Sequence, residues 1–248
     1  MISIKNKLAI EKMSTAGKKL ATILDQIVAE LRPGVRTAEL DAWIGNKLKQ
    51  EGLVSMSKGY HGYKHVSCVS VNDEVVHGIP GPKVIKGGDL VKIDVCASWQ
   101  GYCADMARCY FIEKAPADLE KLVDVAQKAL NKGIERARAG NRVSDISAAI
   151  QEEIELHGFG IVRTFAGHGI GKQMHEEPEI LNYGKPGRGA VLRPGMTLAI
   201  EPMITTGSHD VYVEQDGWTV RTKDKGYAAH VEDTVLITES APKILTRL

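Results

Sequence analysis

The chain alternates between two hydrophobic rhythms. Over residues 5 to 31 the apolar positions Met13, Ala16, Leu20, Ile23, Leu24, Ile27 and Leu31 recur at the spacing of one helix face, and "RPGVR" ends the run. Thr37, Leu40, Ile44 and Leu48 predict a second helix stopping near Gly52. Another helical pair is predicted at about 117–139 and 143–157, divided by the glycine turn "RAGNR". Elsewhere the period falls to two. In "DLVKIDVCASWQ", Val91, Ile93, Val95 and Ala97 face one way while Lys92, Asp94, Cys96 and Ser98 face the other, which marks a strand with one apolar side. The chain then reverses at "WQG" into "YCADMARCYF". A two-residue loop of Trp99 and Gln100 would set Asp94 directly opposite Asp105, with Cβ atoms ~5 Å apart.

The helical pairs match each other. A shift of 106 positions carries Gly34 to Gly140, Arg36 to Arg142, Leu40 to Ile146, Ile44 to Ile150, Leu48 to Ile154 and Gly52 to Gly158. A shift of 107 lays "VIKGGDLVKID" over "VLRPGMTLAIE", pairing Asp94 with Glu201. Two stretches that agree within one residue suggest an internal duplication, with halves at approximately 5–112 and 116–240 of a single domain spanning 1–248. The expected fold class is α+β.

The repeat places carboxylates at matching points. In "TLAIEPM", Leu198 and Ile200 share one face, and Ala199 and Glu201 the other. In "AAHVEDTVLI", read as one strand, Val231, Val235 and Ile237 share a face opposed to His230, Glu232 and Thr234. A single Asp or Glu in such a place is ordinarily an edge or surface residue. Four among apolar neighbours repel one another, or take up protons, unless cations lie between them. With one imidazole from the glycine-rich loop "TFAGHGIGKQMHEEP" (164–178), they would make an oxygen-rich site for two divalent ions. A pair of histidines in such a loop, His168 and His175, points to chemistry more than packing.

Composition narrows the class. Apolar residues are 43% and charged residues 25%, and 32 basic against 31 acidic residues leave +1, so bulk charge suggests neither a nucleic-acid nor a membrane partner. The lysines of "MISIKNKLAIEKMSTAGKK" read as the solvated face of a helix. No apolar run reaches the ~20 residues of a membrane span, and no signal peptide is visible. Cys68, Cys96, Cys103 and Cys109 form no C-x-x-C pair, which suits a reduced, cytoplasmic protein. "HEEPE" lacks the second histidine of H-E-x-x-H, and Pro178 forbids the helix that motif needs. Nucleophile-elbow, Walker and dinucleotide fingerprints are absent from the sequence.

Taken in order, "HGIP" (77–80), "KIDV" with Asp105, "GHGIG", "HEEP", "AIEP" and "HVEDT" resemble the type I methionine aminopeptidases over nearly the whole chain. The resemblance implies the pita-bread fold: two pseudo-symmetric halves, an antiparallel sheet covered by helices on one face, and a metal site in the central cavity. It implies two divalent ions (Co, Mn, Fe or Zn) held by Asp94, Asp105, His168, Glu201 and Glu232, with Asp105 and Glu232 bridging. It makes His175 the donor to the scissile carbonyl oxygen, places His77 beside the scissile amide, and makes Glu201 the proton carrier for a water of lowered pKa. Tyr60, Tyr63, Cys68, Met174 and Trp218 would wall the methionine pocket. Met174 stands where the family often has an aromatic residue, and Ser57 where bacterial members commonly have cysteine.

The implied activity is removal of N-terminal methionine from peptides and nascent chains, preferentially before a small second residue. A transient ribosome contact and a monomeric state go with that expectation. Proline-specific relatives carry an extra N-terminal domain, for which the ~60 residues before "GYHGY" leave no room. A binding module that had lost catalysis would show eroded ligands, and a creatinase-like amidinohydrolase would need no metal. An intact ligand set argues against both.

Overall fold

Asn6 begins the first helix by accepting the Ala9 N–H at 2.9 Å, and α1 runs Lys7–Gln26 with Met13, Ala16, Leu20, Ile23 and Leu24 buried. This computed structural model describes residues 2–248. A 3-10 turn, Ile27–Glu30, replaces the last turn expected of α1, because Pro33 disfavours helix just before it. Helix α2 spans Thr37–Gln50 and opens with the Glu39 carboxylate accepting the Arg36 N–H at 2.8 Å. Strands β1 (Val54–Ser55), β2 (Cys68–Val71), β3 (Leu90–Trp99) and β4 (Tyr102–Phe111) follow.

Helices α3 (Ala117–Arg136) and α4 (Val143–Leu156) begin the second half, and Asp145 accepts the Arg142 N–H at 2.7 Å as Glu39 does for Arg36. The bridges Arg36↔Val84 and Arg142↔Val191 likewise recur at the spacing of the sequence repeat. Then come β5 (Gly160–Ile161), β6 (Gly167–Gly169), β7 (Glu176–Ile180), β8 (Thr197–Ile200), β9 (Met203–Thr205), β10 (Val211–Val213), β11 (Val220–Thr222), β12 (Ala228–His230), β13 (Glu232–Leu236) and β14 (Lys243–Ile244).

One sheet joins the halves. Its strands run β1-β3-β4-β13-β8-β6-β7, with β2 also on β3 and β14 also on β13. Val91, Ile93, Val95 and Ala97 pack with the stripes of α1 and α2 in one apolar cluster. Leu198, Ile200, Val231, Val235 and Ile237 pack with α3 and α4 in another. Burying each such side chain contributes roughly 1.5–3 kcal/mol. The helices therefore take the apolar side of the sheet, and the alternate residues are left to the other side.

Three expectations change. The β3–β4 loop is Gln100–Gly101, not Trp99–Gln100, so Cys96 lies opposite Asp105 and Asp94 opposite Ala107. Both loop residues have positive φ (50° and 78°), the twist a two-residue hairpin favours, and glycine suits the second position. The slip is two residues, so face is conserved and the two aspartates become diagonal neighbours on one side. Second, "GHGIG" is not a loop: its first three residues form β6, an inner strand paired with β7 and β8. A Cβ at Gly167 would meet the Ala199 carbonyl oxygen, and one at Gly169 the Glu177 carbonyl oxygen, so glycine is what lets these strands close up. Third, "AAHVEDTVLI" breaks at Val231. Its first part, β12, pairs with β9 in a separate sheet, and its second, β13, with β4 and β8. "TLAIEPM" breaks likewise after Ile200, where Pro202 offers no N–H to a ladder.

Candidate metal centre and substrate pocket

The side of the sheet away from the helices carries one chemical donor on each of five neighbouring strands. Asp94 stands on β3, Asp105 on β4, Glu232 at the start of β13, Glu201 just past β8, and His168 on β6. Register sorts them into two rows. Asp94, Ala107 and Glu232 face one another across β3, β4 and β13. Cys96 and Asp105 begin the next row, which resumes with Thr234, Ala199 and His168. All five donors line a cavity of about 270 Å³ together with His77, His175, Tyr60, Tyr63, Cys68, Met174 and Trp218, so every residue singled out from the sequence meets there, and Ser57 with them.

The donors are poorly satisfied by the protein alone. His168 Nδ1 lies 2.9 Å from the Gly169 carbonyl oxygen, which can only accept, so Nδ1 carries the proton and Nε2 presents a lone pair. That lone pair faces Glu201 Oε1 at 3.5 Å, acceptor against acceptor once Glu201 is ionised. Asp105 Oδ1 and Glu232 Oε1 are buried without a hydrogen-bond partner. Donor atoms of Asp105, His168 and Glu232 lie within 4.8 Å of one another, as do those of Glu201, His230 and Glu232. A hard or borderline divalent cation fits such a set, since it resolves the repulsion and uses the orphaned oxygens.

Protonation records the same strain. Burial, then the Glu201 carboxylate, pushes Asp105 up to about 7, and burial pushes Glu201 up to about 8. Asp94 and Glu232 are both raised well above the usual carboxylate range, first by burial and then by Asp105. His168 is lowered to about 3 by burial and by His175. A stability sign follows. Unfolded, Asp105 and Glu201 would ionise near 3.8 and 4.5; folded, they keep protons to about 7 and 8. Their favourable contribution is complete below the unfolded values and is lost as pH rises through the folded ones. His77 and His168, lowered to about 4 and 3 from 6.5, act in the opposite sense below pH 6.5. Metal-free protein should therefore melt progressively lower from about pH 6.5 to 8, and added Mn²⁺ should raise the melting point more at the upper end. Scanning calorimetry in chelator and in Mn²⁺ checks this, and a flat metal-free profile contradicts it.

The remaining residues come from turns. His77 is held at φ 57°, a sparsely populated region for a side-chain-bearing residue, by a turn in which Gly78 N–H donates to Ser70 Oγ at 3.0 Å. Its ring meets Phe165 edge-on at 5.4 Å, and burial, then His230, lowers its pKa to about 4. His175 Nδ1 lies 2.9 Å from the Tyr60 hydroxyl, and burial, then His61, lowers its pKa. Tyr63 donates to the Ser67 carbonyl oxygen at 2.9 Å and packs edge-on against Trp218 at 4.9 Å. Asp216 caps the Trp218 turn, accepting from the N–H groups of Trp218 and Thr219 at 2.8 Å each. Two residues escaped sequence reasoning. Phe165 gave no signal of its own. His230 shared a face with Glu232 and could have been found that way; it is buried, with Nε2 3.3 Å from Glu201 Oε2.

Fold and site together define a class, the pita-bread metal-dependent hydrolases. The model of metallopeptidase family M24 matches residues 11–239, and the chain belongs to that family. A methionine aminopeptidase of Clostridium acetobutylicum is 44% identical over 247 residues, 99% of each chain. The crystal structure of methionine aminopeptidase from Thermotoga maritima superposes with a TM-score of 0.98 at 44% identity, covering both chains fully. The prolidase from Pyrococcus furiosus shares the fold more distantly, with a TM-score of 0.81 and 26% identity over 99% of this chain and 65% of that one. The expected pita-bread architecture is the observed one. Membership of this family implies use of a divalent metal. Among the described residues no helix is long and apolar enough to cross a membrane.

Proposed function

We propose that this protein is a metal-dependent aminopeptidase that removes the N-terminal methionine of peptides and nascent chains, preferentially before a small second residue. The observation that carries this reading is the convergence of five donors from five adjacent strands on one cavity. The names of the relatives support the substrate. In this reading Asp94, Asp105, His168, Glu201 and Glu232 would hold two divalent ions, Co, Mn, Fe or Zn, with Asp105 and Glu232 as the residues that would be shared. Bound there, the ions supply Lewis-acid polarisation and a water of lowered pKa.

The chain's own groups do the rest. A Glu201 carboxylate oxygen receives the proton of the attacking water and passes it to the leaving amine. When the Tyr60 hydroxyl donates to Nδ1, His175 carries its proton on Nε2 and offers it where negative charge develops on the carbonyl oxygen. His77 borders the scissile amide. The substrate's free α-amine belongs at the Asp94 end, which favours a terminal over an internal residue. Tyr60, Tyr63, Cys68, Met174 and Trp218 enclose the thioether.

Domain and setting complete the reading. The matched capping carboxylates and bridges support a single catalytic domain, 1–248, that arose by duplication of halves near 5–112 and 116–240. Four free thiols suit the cytoplasm, where a monomeric enzyme meets emerging N-termini and touches the ribosome transiently. Assaying Met-Ala-Ser beside an Xaa-Pro peptide, after chelation and re-addition of each divalent metal, tests the proposal. Cleavage of the first alone is expected. Cleavage of the Xaa-Pro peptide alone would assign the site to the chemistry named for the prolidase instead.

A further inference from the structure

The sheet forks at Thr234. Up to Asp233, β13 pairs with β4 through Glu232↔Ala107 and Asp233↔Met106. From Val235 it pairs with β14 instead. Continued, the β4 ladder would set Thr234 opposite Asp105, but pairing stops one residue short. The Thr234 hydroxyl takes over: it accepts the Asp105 N–H at 2.9 Å and donates to the Asp105 carbonyl oxygen at 2.8 Å. Both backbone groups of Asp105 thus rest on a single side-chain oxygen of a residue with 0% exposure.

A second hydroxyl lies behind the first. Thr246 Oγ1 accepts the Thr234 N–H at 3.1 Å and donates to Asp233 Oδ1 at 2.8 Å. Asp233 also takes the guanidinium groups of Arg108 and Arg247 at 2.7 and 2.6 Å. Arg108 in turn donates to the Glu232 carbonyl oxygen at 2.5 Å. The series begins at the backbone of Asp105 and ends at the backbone of Glu232. Its members reach no substrate.

We infer that Thr234 and Thr246 are positioning residues, and that the Thr234–Thr246–Asp233–Arg108 series sets the spacing of Asp105 and Glu232 and so the affinity for divalent ions. The inference rests on reading those two carboxylates as metal ligands. Along the row Cys96, Asp105, Thr234, Ala199, His168, the threonine stands on the cavity side, yet its hydroxyl is spent on the main chain of its neighbour. Valine there would preserve volume but leave a buried N–H and C=O of Asp105 without partners.

The test is calorimetric titration of Mn²⁺ into chelator-treated full chain, comparing wild type with T234V and T234S, with circular dichroism as the check of folding. T234V is expected to bind about 10–100-fold more weakly, the usual loss when an outer partner of a ligand is removed. T234S keeps the hydroxyl and should bind as wild type does. Equal affinity of T234V and wild type overturns the inference, as does a T234S as weak as T234V. If T234V does not fold, T246V takes its place, with a smaller loss expected and unchanged affinity overturning the inference. A wild type that binds no Mn²⁺ overturns the proposed function as well, so the two failures are told apart.

Discussion

Glu232→Gln melts higher than wild type in chelator and lower than wild type in Mn²⁺. Glu232 is 2% exposed, and burial, with Asp105, Glu201 and Asp94 around it, holds its carboxyl well above the ordinary range. Near pH 8 the neighbouring groups begin to ionise, and each added charge in that cluster opposes folding. An amide of the same shape is neutral without a proton, so it escapes the cost of protonating this carboxylate on folding. Each kcal/mol gained should raise the melting point by about 2–4 °C in a chain of this size. The same substitution deprives the ions of an oxygen that has no partner in the protein. Affinity for Mn²⁺ should therefore fall by more than the ~10–100-fold seen for outer-shell changes, and hydrolysis should fall with it. Asp105→Asn should behave alike. Calorimetry in both conditions checks the crossover, and a variant less stable than wild type in chelator would contradict the account of the site as mutual repulsion relieved by cations.

His175→Ala leaves Mn²⁺ binding near wild type and lowers kcat by about 10²–10³-fold, the usual effect of losing one donor to a developing oxyanion. His175 and His168 are neighbours, with ring centroids 4.3 Å apart. They are held differently. His168 is fixed through Nδ1 by the Gly169 carbonyl oxygen, which the substitution does not touch, whereas His175 is fixed by Tyr60. Since the lowered pKa keeps His175 neutral at neutral pH, it donates as imidazole, and the loss should be similar from about pH 7 to 9. Steady-state kinetics with Met-Ala-Ser, beside a metal titration, separate the two quantities. Full turnover in the variant would remove the oxyanion role.

What could be read in advance followed from parity. Alternation put Asp94, Glu201 and Glu232 on the side away from the helices and the hairpin added Asp105, and because a two-residue slip preserves face, the wrong hairpin register did no harm to that conclusion. The register itself depended on Gly101, whose φ of 78° decides which two residues form the turn. Gly167–Gly169 were legible as special but not as a strand, because glycine is depleted in strands and only close packing of three backbones called for it here. The break at Val231 was invisible, since each half of that stretch alternates correctly while joining a different sheet. Alternation placed Thr234 on the face of Glu232 but gave no sign of its bonds to Asp105, and Thr246 carried no pattern at all. Their roles arise where β4 and β14 part, and such a junction depends on residues 129 positions apart in sequence.

Donors on β3, β4, β13 and β6, with Glu201 one residue beyond β8, make the interstrand repeat, ~4.7–4.9 Å, the gauge of the cation site. The stretches proposed to close over the thioether, around Tyr60 and Tyr63, Met174 and Trp218, hang from other parts of the chain. Metal binding and choice of side chain therefore reside in separable pieces. Grafting those stretches from a relative should re-target the enzyme while its metal constants stay put.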